Sequence, residues 1–277
     1  MIPNFKLHNG VEVPATGLGT FLIKNGDEAA RCIRDAVRAG YRSVDTAMIY
    51  LNEEGVGKGV RECGLEREEI YVTTKLWNDS HGYEKALAAF EASLKRLGLD
   101  YVDQYLIHWP GLDDSYLPTW KAMEKLYKDG RVRVIGVCNF IKPILKNLLE
   151  NCEIKPMVNQ VEMHPLFQPN DLLAYCQNNE IQVEAWRPIV WGKLDKEPIL
   201  EAAKNHNKTT VQVALRWIYQ RGARPVPKTT HFERMKENLD IFDFELSAKE
   251  MAAINALNTY NRTGESPDEF FDTGTFE

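Results

Sequence analysis

The chain lacks any long apolar run. No stretch approaches the ~20 residues of a membrane span, and the opening MIPNFKLHNG holds no apolar core of signal-peptide length. A cytoplasmic protein without membrane attachment is expected. A surplus of basic residues is missing too: 34 Lys and Arg stand against 40 Asp and Glu, a net charge of −6. No cationic field is then available for a phosphate backbone or an anionic bilayer, so neither a nucleic acid nor a lipid surface is expected as partner. Cysteine is scarce, with Cys32, Cys63, Cys138, Cys152 and Cys176 odd in number and without a CxxC pair. That excludes a disulfide framework and a zinc ribbon and fits reduced thiols. The histidines form no HExxH or similar ligand spacing, so no metal is signalled. Nor is there a GxGxxG turn of the kind that opens a doubly wound dinucleotide-binding sheet.

What the sequence does contain is ordinary globular material: 277 residues, 44% hydrophobic and 27% charged. Disorder is excluded as the overall state, and a single unit of this length buries about three quarters of its unfolded surface. Phe5 to His8 and Val11 to Val13 flank Asn9-Gly10, which predicts a hairpin with a tight primed turn. Beyond it, short apolar runs alternate with helical periods. Ala29, Ile33, Ala36 and Val37 give one apolar helix face ended by Gly40, and Ser43 to Asp45 follows as a strand. The pattern recurs through Ile70 to Thr73, Val102 to His108, Val132 to Val137, Met157 to Val161, Ile181 to Ala185 and Arg224 to Val226. Capping boxes are expected at Thr230 with Glu233 and Ser247 with Glu250. With Thr16 to Gly19 as the first, eight strand-like runs alternate with helices. This predicts an α/β fold, a single (β/α)₈ TIM barrel spanning residues 1–277, with the hairpin closing its bottom and a mobile tail from about residue 263.

Active sites of such barrels gather at the carboxyl ends of the strands. Asp45 and Tyr50 follow the second strand, Lys75 the third and His108 the fourth. Each has a plainer reading as a cap, a packing ring, a solvated charge or a core histidine. Together they form an acid. A lysine ammonium ~4 Å from the phenol favours phenolate by about 4 kcal/mol, roughly three pKa units, so Tyr50 is expected to be an acidified proton donor. Asp45 would hold Lys75, and a neutral His108 would polarise a carbonyl oxygen. No member of this group can supply electrons, so a reducing cofactor is required. Pro227-Lys228-Thr229-Thr230 with Arg234, Glu237 and Asn238 straddles the helix after the last strand, where barrels commonly hold phosphate. The alternative there is a capped helix with solvated basic residues.

Seven stretches in order, GLGTF, YRSVDTAMIYLNEEGVGKGV, TTKLWN, SLKRLGLDYVDQYLIHWP, GVCNF, VNQVEMHP and PKTTHFERMKENLDIFDFELS, resemble the aldo-keto reductase superfamily. Within it they are similar to the bacterial 2,5-diketo-gluconate and glyoxal reductases. The resemblance implies that Asp45, Tyr50, Lys75 and His108 are a catalytic tetrad with Tyr50 as general acid, and that the cofactor is NADPH/NADP+. It assigns Trp186 to the nicotinamide face, Asn139 and Gln160 to the carboxamide, and Thr20 and Asp45 to the ribose. Lys228, Thr229 and Arg234 fall to the 2′-phosphate, Glu237 and Asn238 to the adenine, and Phe21, Trp77 and Trp109 to the substrate wall.

The chain departs from the family's pattern at Cys138, at Arg187 with Val190-Trp191, and in the tail after Asn261, which is short beside relatives that enclose steroids and implies an open pocket for small polar carbonyls. Cys138 stands where relatives usually carry a serine that bonds the carboxamide, and a thiol is a weak donor. Arg187, in EAWRPIVWGK, replaces a small residue before a loop that crosses the pyrophosphate in relatives, and either contacts the anion or points to solvent. The expected activity is NADPH-dependent reduction of small aldehydes, α-dicarbonyls or keto sugars. A non-catalytic nucleotide-binding or redox-sensing protein on the same fold is the alternative. A monomer is expected, with weak dimerisation left open.

Overall fold

The computed structural model describes residues 2–111 and 113–267. Two short antiparallel strands, β1 (Asn4–Lys6) and β2 (Glu12–Pro14), form the hairpin. Its turn is not the primed type expected. Only Gly10 takes a positive φ, 85°, and Gly10 N–H donates to Leu7 C=O at 2.8 Å, so a three-residue loop with a left-handed glycine replaces the two-residue turn. Asn9 is occupied elsewhere: its Nδ2 donates to Arg133 C=O at 3.0 Å, which ties the hairpin to the barrel's lower end.

Eight parallel strands follow: β3 (Leu18–Gly19), β4 (Ser43–Asp45), β5 (Tyr71–Leu76), β6 (Val102–Ile107), β7 (Val132–Cys138), β8 (Val158–Glu162), β9 (Gln182–Trp186) and β10 (Arg224–Pro225). Each pairs with its predecessor, and Gly19 N–H donating to Pro227 C=O at 2.9 Å joins the first to the last. The result is a (β/α)₈ barrel. Strands β5 and β6 are buried along their whole length, as expected of parallel strands covered on both faces, and the burial extends to their polar residues Thr73, Thr74, Lys75, Asp103 and Gln104.

The outer layer comprises α1 (Asp27–Ala39), α2 (Glu53–Arg61), α3 (Tyr83–Leu97), α4 (Tyr116–Lys128), α5 (Lys142–Asn151), α6 (Asn170–Asn178), α7 (Glu197–His206), α8 (Thr210–Gln220), α9 (Phe232–Leu239) and α10 (Ala248–Asn255). Left-handed glycines end α1 and α3, at Gly40 and Gly98. The capping box at Ser247 and Glu250 is present, and another forms at Thr209 and Gln212. The one expected at Thr230 and Glu233 is absent. Helix α9 starts one residue later behind His231, whose N–H is taken by the Thr229 hydroxyl at 3.2 Å, so the threonine serves the turn before the helix. Among the described residues no helix is long and apolar enough to cross a membrane. The tail expected from about residue 263 lies outside the described residues from 268 onward, while Thr263 N–H donates to Glu162 at 2.7 Å.

Candidate active site

A cavity of about 770 Å³ opens at the carboxyl ends of the strands. Eighteen of the nineteen residues singled out in the sequence line it; Lys75 is wholly buried beneath. The cavity is chemically graded. Phe21, Tyr50, Trp77, His108 and Trp109 line it from the segments that follow β3 to β6, while Lys228, Thr229, Thr230, Arg234, Glu237 and Asn238 line it from the turn after β10 and from α9.

Strand ends position the first group. Asp45 closes β4 and Lys75 is the fifth residue of β5, and register between the strands brings them together. Lys75 Nζ donates to Asp45 Oδ1 and to Thr46 C=O, the latter at 2.9 Å. Burial alone would lower the lysine, but Asp45 and Tyr50 outweigh it and hold the ammonium above its ordinary range. Tyr50 ends a short helical turn, Met48–Tyr50, and its ring packs against Phe21 at 5.1 Å and His108 at 5.6 Å. Trp77 approaches His108 edge-on at 5.3 Å. His108 is held well below its ordinary range by burial and then by Lys75, so the imidazole is neutral.

For Tyr50 the expected direction of the shift is reversed. Burial pushes the phenol up to about 12, and the opposing pull of Lys75 recovers only part of this. The sequence argument supplied the neighbouring charge but not the loss of water, which penalises phenolate more. A phenol so placed keeps its proton throughout the neutral range. Cys138 shares this surrounding: burial drives its thiol well above the ordinary value despite Lys75, so it is not a reactive thiolate.

Further along the cavity, Asn139 Oδ1 accepts from Trp186 Nε1 at 2.9 Å and its Nδ2 donates to His108 C=O at 2.9 Å. Gln160 Nε2 donates to Asp45 Oδ2 at 2.8 Å. Thr20 Oγ1 donates to Asp45 C=O at 2.9 Å. Beyond them, Glu237 Oε1 accepts from Thr209 Oγ1 at 2.6 Å. Basic side chains, two hydroxyls and the start of α9 thus line the same cavity as the tyrosine. That donor set fits an elongated ligand with an anionic group at one extremity.

The chain matches the Aldo/keto reductase family over residues 15–259. It is 55% identical over 265 residues to the glyoxal reductase of Bacillus subtilis (strain 168), covering 95% of this chain and 96% of that one. To the 9,11-endoperoxide prostaglandin H2 reductase of Trypanosoma cruzi (strain CL Brener) it is 49% identical over 272 residues, covering 97% and 96%. A solved aldo-keto reductase of Bombyx mori in complex with NADP superposes with a TM-score of 0.91 at 37% identity, covering 97% of this chain and 96% of that one. The chain belongs to the aldo/keto reductase family.

In this aldo/keto reductase, Arg187 does something that sequence reasoning did not foresee. It lies at φ 51°, stacks its guanidinium 4.2 Å from the Trp191 ring, and donates to Thr263 C=O. Its contact is thus with the chain's own C-terminal segment. The sequence reading also missed His231, Gly264 and Glu265 as cavity residues. Gly264 packs on the Trp186 indole so closely that a Cβ there would lie 2.4 Å from the ring. A glycine in a polar tail carries no pattern that could have announced this.

Proposed function

We propose that this aldo/keto reductase uses NADPH to reduce small aldehydes, α-dicarbonyls or keto sugars to alcohols. The observation that carries the reading is that Tyr50 and His108 line the same cavity as Lys228 and Arg234. The glyoxal reductase relative and the NADP-bound structural neighbour support it.

Bound NADPH supplies a hydride. The chain supplies the rest. Tyr50, protonated at neutral pH, donates its phenolic proton to the carbonyl oxygen as charge develops there. Lys75 stabilises the phenolate left behind, and Asp45 holds Lys75 charged and in place. Neutral His108 polarises the same oxygen as a donor. Phe21, Trp77 and Trp109 wall the carbonyl from water. Trp186 faces the nicotinamide, while Asn139 and Gln160, with Cys138 beside them, take its carboxamide. Thr20 and Asp45 lie at the ribose. Lys228, Thr229, Thr230 and Arg234 receive the 2′-phosphate, Glu237 and Asn238 the adenine, and Arg187 flanks the cofactor through its hold on Thr263.

The test is the loss of reduced-nicotinamide absorbance, comparing NADPH with NADH and methylglyoxal with a keto sugar. Turnover that favours NADPH and disappears in Tyr50→Phe supports the reading. Tight NADPH binding without turnover on any carbonyl replaces it with a non-catalytic nucleotide-binding protein.

A further inference from the structure

Glu184 and Arg224 take no part in the reaction as proposed, yet both are wholly buried in the barrel interior. They face each other in register on β9 and β10, with Glu184 Oε1 accepting from Arg224 Nη1 at 2.7 Å. Space for the guanidinium is made by Gly17, where a Cβ would lie 2.6 Å from Arg224 Nη2. Arg224 Nε donates to Pro14 C=O at 2.6 Å and Nη2 donates to Ser43 Oγ at 2.5 Å. Each nitrogen of the guanidinium thus has a partner, so the cation is fixed, and it fixes the carboxylate.

The other carboxylate oxygen points up the barrel. Glu184 Oε2 accepts from Gln160 Nε2 at 2.8 Å and from Gln104 Nε2 at 3.2 Å. Gln160 Nε2 also donates to Asp45 Oδ2 at 2.8 Å. A side-chain amide has two N–H groups and one carbonyl oxygen. Both N–H groups of Gln160 are thus committed to carboxylates, and only its Oε1 is left to offer to the cavity it lines.

We infer that Glu184 is a positioning residue that sets the orientation of the Gln160 amide, so that the cavity presents an acceptor to the carboxamide N–H of the nicotinamide. This rests on the NADPH reading above. Asp45 joins the two halves of the device, since it anchors Lys75 through one oxygen and Gln160 through the other. Glu184→Gln would break the orientation by a simple conflict. The new amide must turn its oxygen to Arg224, which has only donors, and so meets Gln160 with N–H against N–H.

The experiment compares the dissociation constants of NADP+ and its 3-acetylpyridine analogue, which lacks the amide N–H, by fluorescence titration. The proteins are the wild type, Glu184→Gln, and the double variant Glu184→Met with Arg224→Met. The double variant removes both buried charges at similar volume and so keeps a folded barrel even where the single change does not. The wild type is expected to favour NADP+ by about tenfold, the worth of one well-made hydrogen bond. In the folded variants this preference falls to within about twofold, while the preference for NADP+ over NAD+ is unchanged. A merely structural role would weaken all three nucleotides together. An unchanged NADP+ to analogue ratio in the folded double variant, or no discrimination in the wild type, overturns the inference and leaves the reductase reading intact. A wild type that binds none of the nucleotides overturns both.

Discussion

Two fully buried ion pairs sit at successive levels of the same barrel, Lys75 with Asp45 and Arg224 with Glu184. Their surroundings differ in one respect. Arg224 meets a carbonyl, a hydroxyl and a carboxylate, all of them away from the cavity wall. Lys75 meets Asp45 and a carbonyl, and also acts on the Tyr50 phenol at the cavity wall. A buried charge with a closed set of partners fixes geometry. Give one of those partners a transferable proton and an open wall, and the same kind of pair can serve an acid, the role proposed for Tyr50. The comparison is sharp enough to be broken by substitution.

The largest effect is expected at the proton itself. Tyr50→Phe keeps the ring contacts with Phe21 and His108 but removes the donor, so turnover should fall by about 10²–10⁴-fold with the melting temperature nearly unchanged. Steady-state kinetics and a thermal melt check both halves. Next come the cations. Lys75→Met and Arg224→Met each strand a buried carboxylate and should cost comparable stability, about 3–5 kcal/mol, measured by denaturant unfolding. Turnover separates them, because only Lys75→Met removes the charge that stabilises the phenolate. Equal loss of turnover in the two variants would erase the distinction between the pairs.

The pH dependence of stability gives a smaller effect of fixed sign. His108 is depressed well below its ordinary range in the folded protein, so the unfolded chain takes up the proton first. Stability from this group is therefore complete above about pH 6.5 and declines as pH falls below it, by up to about 1.4 kcal/mol per unit. His108→Gln should flatten the stability profile between pH 6.5 and 5. If wild type and variant lose stability in parallel, the imidazole is not kept neutral by burial.

The strands were legible from short β-branched and aromatic segments alternating with helical periods, so Val102 to His108 reads as a strand despite Asp103 and Gln104, and β6 occupies Val102–Ile107. The convergence of Asp45, Tyr50, Lys75 and His108 was legible because all four lie at or just after the carboxyl ends of neighbouring strands, which in a barrel brings them to one end. Burial is not local, however. Proximity of Lys75 to Tyr50 could be argued from strand order, but the loss of water that drives the phenol up to about 12 could not. Arg224 looked like an ordinary strand residue because its partner lies 40 positions away. The Thr230 box failed because α9 starts at Phe232 behind His231, one residue later than a box at Thr230 requires, a shift that spacing does not reveal.

The smallest expected effect lies at the rim, where Arg187 holds the C-terminal segment rather than a reacting group. Its guanidinium spans Trp191 and Thr263, and Glu162 grips Thr263 from the other side, at 2.7 Å from N–H. Arg187→Ala releases one of these two holds, worth about 1 kcal/mol for a hydrogen bond that is partly exposed. The segment would then lie less often against Trp186, so KM for methylglyoxal should rise several-fold while kcat at saturation changes by less than twofold. A fall in kcat without a rise in KM would instead mean that the segment acts on the proton or hydride step, and the rim would belong with Lys75 rather than with Arg224.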